Sequence, residues 1–473
     1  MSQRTEFSKD FSKNKQRIDE LLQIDKSFDL LYRVVIIGGK KACFYFVDGF
    51  CKDEIMEKVL EFLYKIKPEE MPETAHDFLN EKLPYGEIDL VRTENDLIQR
   101  CLSGVPLLMV DGYCELLAMD FRTYPARSVD EPEKDKVMRG SRDGFVETVV
   151  YNTALVRRRI RSTDLVMEMH TVGKSSRTDV VIAYMGNRVE PEMLNNIRKR
   201  IDAIEIDSLS MNQQSLAECL YQHKWYNPFP KVRYTERPDA AAASIMEGSI
   251  VLMVDNSPSV MILPTGFFDF TQESNDYYFP PLVGTYLRVL RVTVFLLSLF
   301  ITPAWYLMVS EPNRLPGWLN FLSSPEPVSL SLLSQLLVVE FLIDVLKLAS
   351  LNTPDSLSNS FSMLGALVLG DFAVQAGWLG PEVLVYMAFV SVAGFAQPSY
   401  ELGYAFKLLR VALLLVTAAF DVWGFCLGVV GIFVLLCTTK PLVGKGYLYP
   451  LVPFNGKALL RLLVREPISR DNT

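Results

Sequence analysis

CLSGVPLLMVDGYCELLAM (residues 101–119) and IMEGSIVLMVDNSPSVMIL (residues 245–263) run in register at an offset of 144. The alignment sets Gly104 against Gly248, and Leu108-Met109-Val110-Asp111 against Leu252-Met253-Val254-Asp255. Each stretch reads as a helix end, a glycine, a strand, an Asp-Gly or Asp-Asn turn and a return strand. A short helix is expected ahead of each, after Thr93 and after Pro238. Two hydrophobic hairpins can match by chance, so the order of elements upstream has to decide.

Upstream the order repeats. Residues 33–37 are a β-rich run, Gly38-Gly39 a turn and 42–47 the return strand. Asp48-Gly49 ends it, and 54–65 reads as a helix. In the second copy, 165–172, the polar turn 173–178 and the strand 179–185 keep that order, Gly186 ends it, and 191–204 is a helix. The reading is an internal duplication: a soluble α/β N-terminal region of two similar subdomains, 26–126 and 143–280. Residues 127–142 are the expected charged linker, and the Lys-, Asp- and Gln-rich stretch 1–25 the expected flexible lead-in.

Beyond residue 280 the composition changes. Between residues 289 and 439 only 14 of 151 positions are Asp, Glu, Lys or Arg. An α-helical multi-pass membrane domain of four to six segments is expected over 281–440, followed by a cytosolic tail, 441–473. Four segments stand out: 289–309, 330–351, 361–379 and the short 383–396. The run 411–439 is too long for one span and too short for two ordinary ones, so a break near 421–424 and a re-entrant pair are expected. Arg288, Arg291, Lys407, Arg410, Lys440, Lys445, Lys457, Arg461 and Arg465 would lie on the inner side, which places both termini in the cytosol.

Glu340, Asp344 and Lys347 stand inside one of these runs at i, i+4, i+7, on one face of a helix. A charge at the bilayer centre costs roughly 2.5–3.5 kcal/mol, so the stripe must face protein, water or itself. Asp371 and Asp421 are each alone in an apolar run. Four acids against one base favour a cation path, with Lys347 as the counter-charge. The plainer alternatives are a structural pair between Glu340 and Lys347, a helix contact at Asp371 and a helix break at Asp421.

Other motifs are less telling. Arg157, Arg158, Arg159 and Arg161 form a basic run at a helix end, 145–160, a candidate for acidic partners or lipid headgroups and equally a solvated helix terminus. Asp111 and Asp255 are explained by turn chemistry. There is no phosphate loop, dinucleotide fingerprint or nucleophile elbow. No enzyme, cofactor or metal site is expected. The seven scattered cysteines read as reduced thiols, and the net charge of −8 argues against nucleic acid.

DGFVETVVYNTALVRRRIR (143–161), GKSSRTDVVIAYM (173–185), NPFP (227–230), TERPDAAAA (235–243), EGSIVLMVDNSPSVMILP (247–264) and QPSYELGYA (397–405) resemble the spore germinant-receptor A-subunit family, from about residue 30 to 465. Gln397 departs from the pattern, where Thr is expected. The resemblance implies an integral protein of the bacterial endospore inner membrane with a core-facing N-terminal region. It also implies a ring of like subunits that conducts ions when germination is triggered, and no catalytic residues. Nutrient recognition would belong to a separate subunit. The expected partners are further copies of the chain, another inner-membrane protein, the lipid bilayer and monovalent cations. The leading expectation is a cation-channel subunit that promotes germination. The alternatives are a non-conducting scaffold for a germination or dipicolinate-release complex and, more weakly, a solute transporter.

Overall fold

The computed structural model describes residues 6–83, 86–124, 140–221, 224–273, 276, 278–310, 328–352, 373–442, 444 and 446–465. The chain divides into two units: residues 1–222, 232–265 and 442–444, and residues 223–231, 266–441 and 445–473.

In the first unit, α1 (Phe11–Leu22), β1 (Leu30–Ile37), β2 (Lys40–Val47), α2 (Asp53–Tyr64), α3 (Ala75–Lys82), β3 (Ile88–Val91), α4 (Glu94–Leu102), β4 (Leu107–Val110) and β5 (Leu116–Met119) build one antiparallel sheet. Its order is β1-β2-β4-β5-β3. The second sheet comes from α5 (Val149–Arg159), β6 (Leu165–Val172), β7 (Thr178–Met185), α6 (Pro191–Asp202), α7 (Gln213–Leu220), β8 (Arg233–Thr235), α8 (Pro238–Met246), β9 (Ile250–Val254) and β10 (Val260–Leu263). Its order, β6-β7-β9-β10-β8, is the same strand for strand.

The apolar runs of β4, β5, β9 and β10 have no in–out alternation because both faces of these strands are covered. Leu107 and Met109 enter one core of the first sheet, Leu108 and Val110 the other. In the second sheet Leu252 and Val254 face one core, Val251 and Met253 the other. The matched glycines end α4 and α8 at φ +93° and +98°. A Cβ at Gly104 would meet the Phe50 ring at 2.5 Å, and one at Gly248 the Arg188 carbonyl oxygen at 3.0 Å.

The duplication reaches further upstream than the sequence suggests. Asp111 Oδ1 accepts from Phe11 N (3.3 Å), and Asp255 Oδ1 accepts from Val149 N (3.1 Å), at the starts of α1 and α5. Buried Asn14 accepts from Ser8 N and donates to Ser8 O, and buried Asn152 does the same with Val146. Within the stretch 1–25, read as a flexible lead-in, residues 11–22 form a structural helix, the counterpart of α5. Its Ile18 and Leu22 are fully buried. The stripe is hard to see because a hydrogen-bonded Asn stands in it where an apolar residue would otherwise mark the face.

In the second unit, α9 (Pro281–Ser310), α10 (Leu332–Asn352), α11 (Pro381–Phe395), α12 (Tyr400–Thr438) and α13 (Gly456–Leu463) follow one another. Among the described residues, α9 and α12 are long and apolar enough to cross a membrane, and α11 is shorter. The expected segment 361–379 and its Asp371 fall largely or wholly outside the described residues.

α12 breaks at Asp421 (φ 49°, ψ −133°) and folds back on itself. A Cβ at Gly424 would run into the Val416 carbonyl oxygen and one at Gly428 into the Leu413 side chain. Leu413, Phe425, Val429 and Ile432 share one core. The break lies where it is expected, but the helix is longer than the apolar run 411–439. The helix begins at Tyr400, so the leg before the break is about 31 Å long and the leg after it about 25 Å. Each approaches the thickness of a hydrocarbon core, about 30 Å.

Candidate functional site

The i, i+4, i+7 stripe of α10 faces α12. Glu340 Oε1 accepts from Arg410 Nη2 at 2.7 Å and lies 3.4 Å from Lys407 Nζ. Lys407 also pairs with Asp344. Arg410 Nη1 donates to Ser298 O on α9 at 3.0 Å, so three helices meet at one guanidinium. The Glu340 and Arg410 side chains are 12% and 7% exposed. Below the stripe, Gln335 Oε1 accepts from Gly380 N at 2.8 Å and Gln335 Nε2 donates to Leu330 O, which ties α10 to the start of α11.

Several expectations change here. Lys407 and Arg410, read only as inner-side charges, sit within the first leg of α12 and are the ion-pair partners of Glu340 and Asp344. Lys347, expected as the counter-charge, instead lies over Phe395 (5.0 Å to the ring centroid) and Tyr404 (5.9 Å), a cation–π arrangement. Among the described residues the cluster therefore holds two acids and three cations, not an excess of acid. Asp421 is exposed at the fold-back of α12 and does not join the cluster. A pairing of residues some sixty to seventy positions apart leaves no local sequence signal.

The arginine run is dispersed in the same way. Arg157 is fully buried, which removes it as a partner or lipid contact. Its Nε and Nη2 donate to Asp29 at 2.7 and 3.0 Å, and further bonds reach Ser27 Oγ, Ser162 O and Leu165 O. Asp29 belongs to the first subdomain, so this fork joins the two. Arg158 stacks on Tyr124 at 4.5 Å, Arg159 binds Asp143 at 2.6 Å, and Arg161 is exposed.

A second polar cluster lies on β6 and β7. Arg198 Nε donates to Glu168 at 2.8 Å, Tyr184 Oη donates to Glu168, and His170 stands between Glu168 (3.7 Å) and Asp202 (3.3 Å). Burial pushes the Glu168 carboxyl up, but hydrogen bonds from His170, Arg198 and Tyr184 outweigh it and hold the group at about 2. The Glu168 hydrogen bond raises His170 above 6.5, against its burial and with help from Asp202. The Glu168 contribution to stability is complete above its ordinary value of 4.5 and is lost as pH falls toward about 2. The His170 contribution is complete below 6.5 and is lost as pH rises through its elevated value. Thermal melts of the full chain in detergent should therefore differ between wild type and Glu168→Gln most between those limits. Parallel pH profiles would contradict the coupling. Among the described residues no group of three His, Cys, Asp or Glu could hold a metal ion.

Two subdomains of identical strand order, followed in the chain by long apolar helices, make an α/β N-terminal region and a helical C-terminal region. The chain belongs to the Bacillus/Clostridium GerA spore germination protein family, whose model matches residues 16–473. Stage V sporulation protein AF of Bacillus subtilis (strain 168) is 35% identical over 455 residues, covering 96% of this chain and 92% of that protein. Spore germination protein KA of the same organism is 28% identical, covering 94% of this chain and 82% of its own length. The crystal structure of the N-terminal domain of the A subunit of the Bacillus megaterium spore germinant receptor GerK3 aligns with a TM-score of 0.42 at 25% identity, covering 56% of this chain and 98% of that one.

Proposed function

We propose that the protein is a multi-pass subunit of the endospore inner membrane that promotes germination as an oligomeric, ion-conducting assembly. In the conformation described, Arg410 and Lys407 neutralise Glu340 and Asp344 and so close the cation path. The observation that carries this reading is the near-complete burial of the Glu340–Arg410 pair among three apolar helices. A purely packing bundle has cheaper ways to hold together, because two apolar residues of the same volume avoid desolvating two ions. Separating α10 from α12 would expose two carboxylates at once, which is what a gate for cations requires.

Other features support parts of the reading. Tyr32, Val34 and Ile36 share one face of the edge strand β1 and are about half exposed, a surface suited to a second copy of the chain. Lys440, Lys457, Arg461 and Arg465 follow the second leg of α12, which favours the cytosolic, core-facing side for that end.

The second reading is a non-conducting scaffold in which the same ion pairs only fix helix packing. Ion flux separates the two. Liposomes reconstituted with wild type, and with a candidate partner membrane protein, should release potassium or sodium. Glu340→Gln with Asp344→Asn should abolish that release at unchanged oligomeric state, because Lys407 and Arg410 are then left as uncompensated positive charge in the path. Equal flux in the variant removes the cluster from the path. No flux from a well-folded wild-type oligomer with its partner favours the scaffold.

A further inference from the structure

We infer that residues 451–465, centred on α13, form an in-plane anchor that lies on the bilayer surface and takes anionic lipid headgroups. The inference rests on the reading that α9 and α12 cross the membrane. α13 has no buried residue. Leu459, Leu462 and Leu463 share one side of the helix and are half-buried, Leu460 lies exposed at the edge of that side, and Lys457 and Arg461, four residues apart, are exposed on the other. Leu460 is 60% exposed, and Phe454, just ahead of the helix, is 73% exposed. A short helix with leucines on one face and cations on the other suits the boundary between acyl chains and phosphates, where each face meets its own solvent.

The position of the helix adds a second argument. Arg288 Nη1 lies 3.4 Å from both Arg461 O and Leu462 O, and Arg465 N donates to Thr285 Oγ1 at 3.1 Å. These bonds fix α13 to the beginning of α9. At 30 residues, α9 is about 45 Å long and overshoots a hydrocarbon core of about 30 Å. Its surplus falls at this end, where Arg291 is bonded to Asp276 and Glu273. The first turns of α9 therefore stand at headgroup depth, with Leu282 and Tyr286 exposed on them. The cations match phosphate-bearing lipid, which makes an anionic bilayer surface the occupant in preference to a protein groove.

The test is photocrosslinking of the full chain in liposomes of phosphatidylcholine with a minority of phosphatidylglycerol. A benzophenone amino acid is placed at Leu460, at Phe454 in a second protein, and at Leu296 in the middle of α9 as a reference. Lipid adducts are identified by mass spectrometry. We expect adducts at all three positions, with phosphatidylglycerol enriched over its bilayer share at Leu460 and Phe454 but not at Leu296. Lys457→Gln with Arg461→Gln should return the adducts to the bulk lipid ratio without abolishing them. Lipid adducts at Leu296 but none at the other two positions would overturn the anchor and leave the membrane reading standing. Adducts at bulk ratio in the unsubstituted protein, or enrichment that survives the double substitution, would overturn the headgroup assignment. Failure at Leu296 as well would overturn both readings.

Discussion

Arg410→Met is expected to destabilise the helical unit by about 3–5 kcal/mol, the cost of removing one member of a buried ion pair, with Lys407 left to serve both Glu340 and Asp344. Glu340 would lose its 2.7 Å hydrogen bond, and the carbonyl of Ser298 would lose a donor. Lys407 cannot replace the guanidinium, since it already bridges Glu340 and Asp344. The expected result is a large drop in the unfolding midpoint of the full chain in detergent, with loss of monodispersity. Adding Glu340→Gln should recover most of the loss, because the pair is then removed as a unit and no charge is stranded. A double variant as unstable as Arg410→Met would show that the guanidinium acts through its packing rather than its charge. A single variant as stable as wild type would show that water reaches the cluster freely.

Arg157→Met should have a similar effect in the first unit, again about 3–5 kcal/mol. Its consequence differs because the pair joins two subdomains. Asp29 is 1% exposed and Arg157 fully buried, so Asp29 would keep the Ser27 hydroxyl but be left buried and charged without its guanidinium. Ser27 Oγ, which donates to Asp29 and accepts from Met167 N and Arg157, would lose one of its two donors. Hydrogen exchange should accelerate first at β1 and α5, on either side of the seam, with the centres of both sheets protected longer. Asp29→Asn in the same chain should restore much of the protection. Uniform acceleration across both sheets would mean that the subdomains unfold as one block and that the fork has no local role.

The sequence carried the fold well where packing is periodic or repeated. The matched hairpins at 101–119 and 245–263, their glycines and the order of strands around them all correspond to elements of the structure. The lead-in was misread because Asn14 occupies the buried stripe of α1, and an Asn bonded to the backbone of Ser8 looks like a surface residue when its partner is unseen. The arginine run, 157–159 with Arg161, was only partly legible for a related reason. Consecutive side chains on a helix point in different directions, so a dense run in sequence sends Arg157 into the core and Arg158 onto Tyr124.

The candidate site was half legible. The stripe Glu340, Asp344, Lys347 follows from helical spacing, and its need for polar company follows from the cost of charge in an apolar medium. The identity of that company did not follow. Lys407 and Arg410 stand just ahead of the apolar run 411–439, where counting charges gives them a side of the membrane but no partner. The fold-back at Asp421 makes the difference, since it lets α12 begin at Tyr400 and carry both cations along α10.

The sequence by itself determined the duplication, the two-part division of the chain and the presence of charges that apolar helices cannot leave facing lipid. These are properties of local periodicity and of composition, and one strand or one helix is enough to express them. The tertiary structure decided which charge meets which, that Arg157 joins two subdomains, and that Glu340 and Asp344 are answered by Lys407 and Arg410. Such pairings depend on the direction of side chains from helices far apart in the chain, and that direction is set when the helices pack.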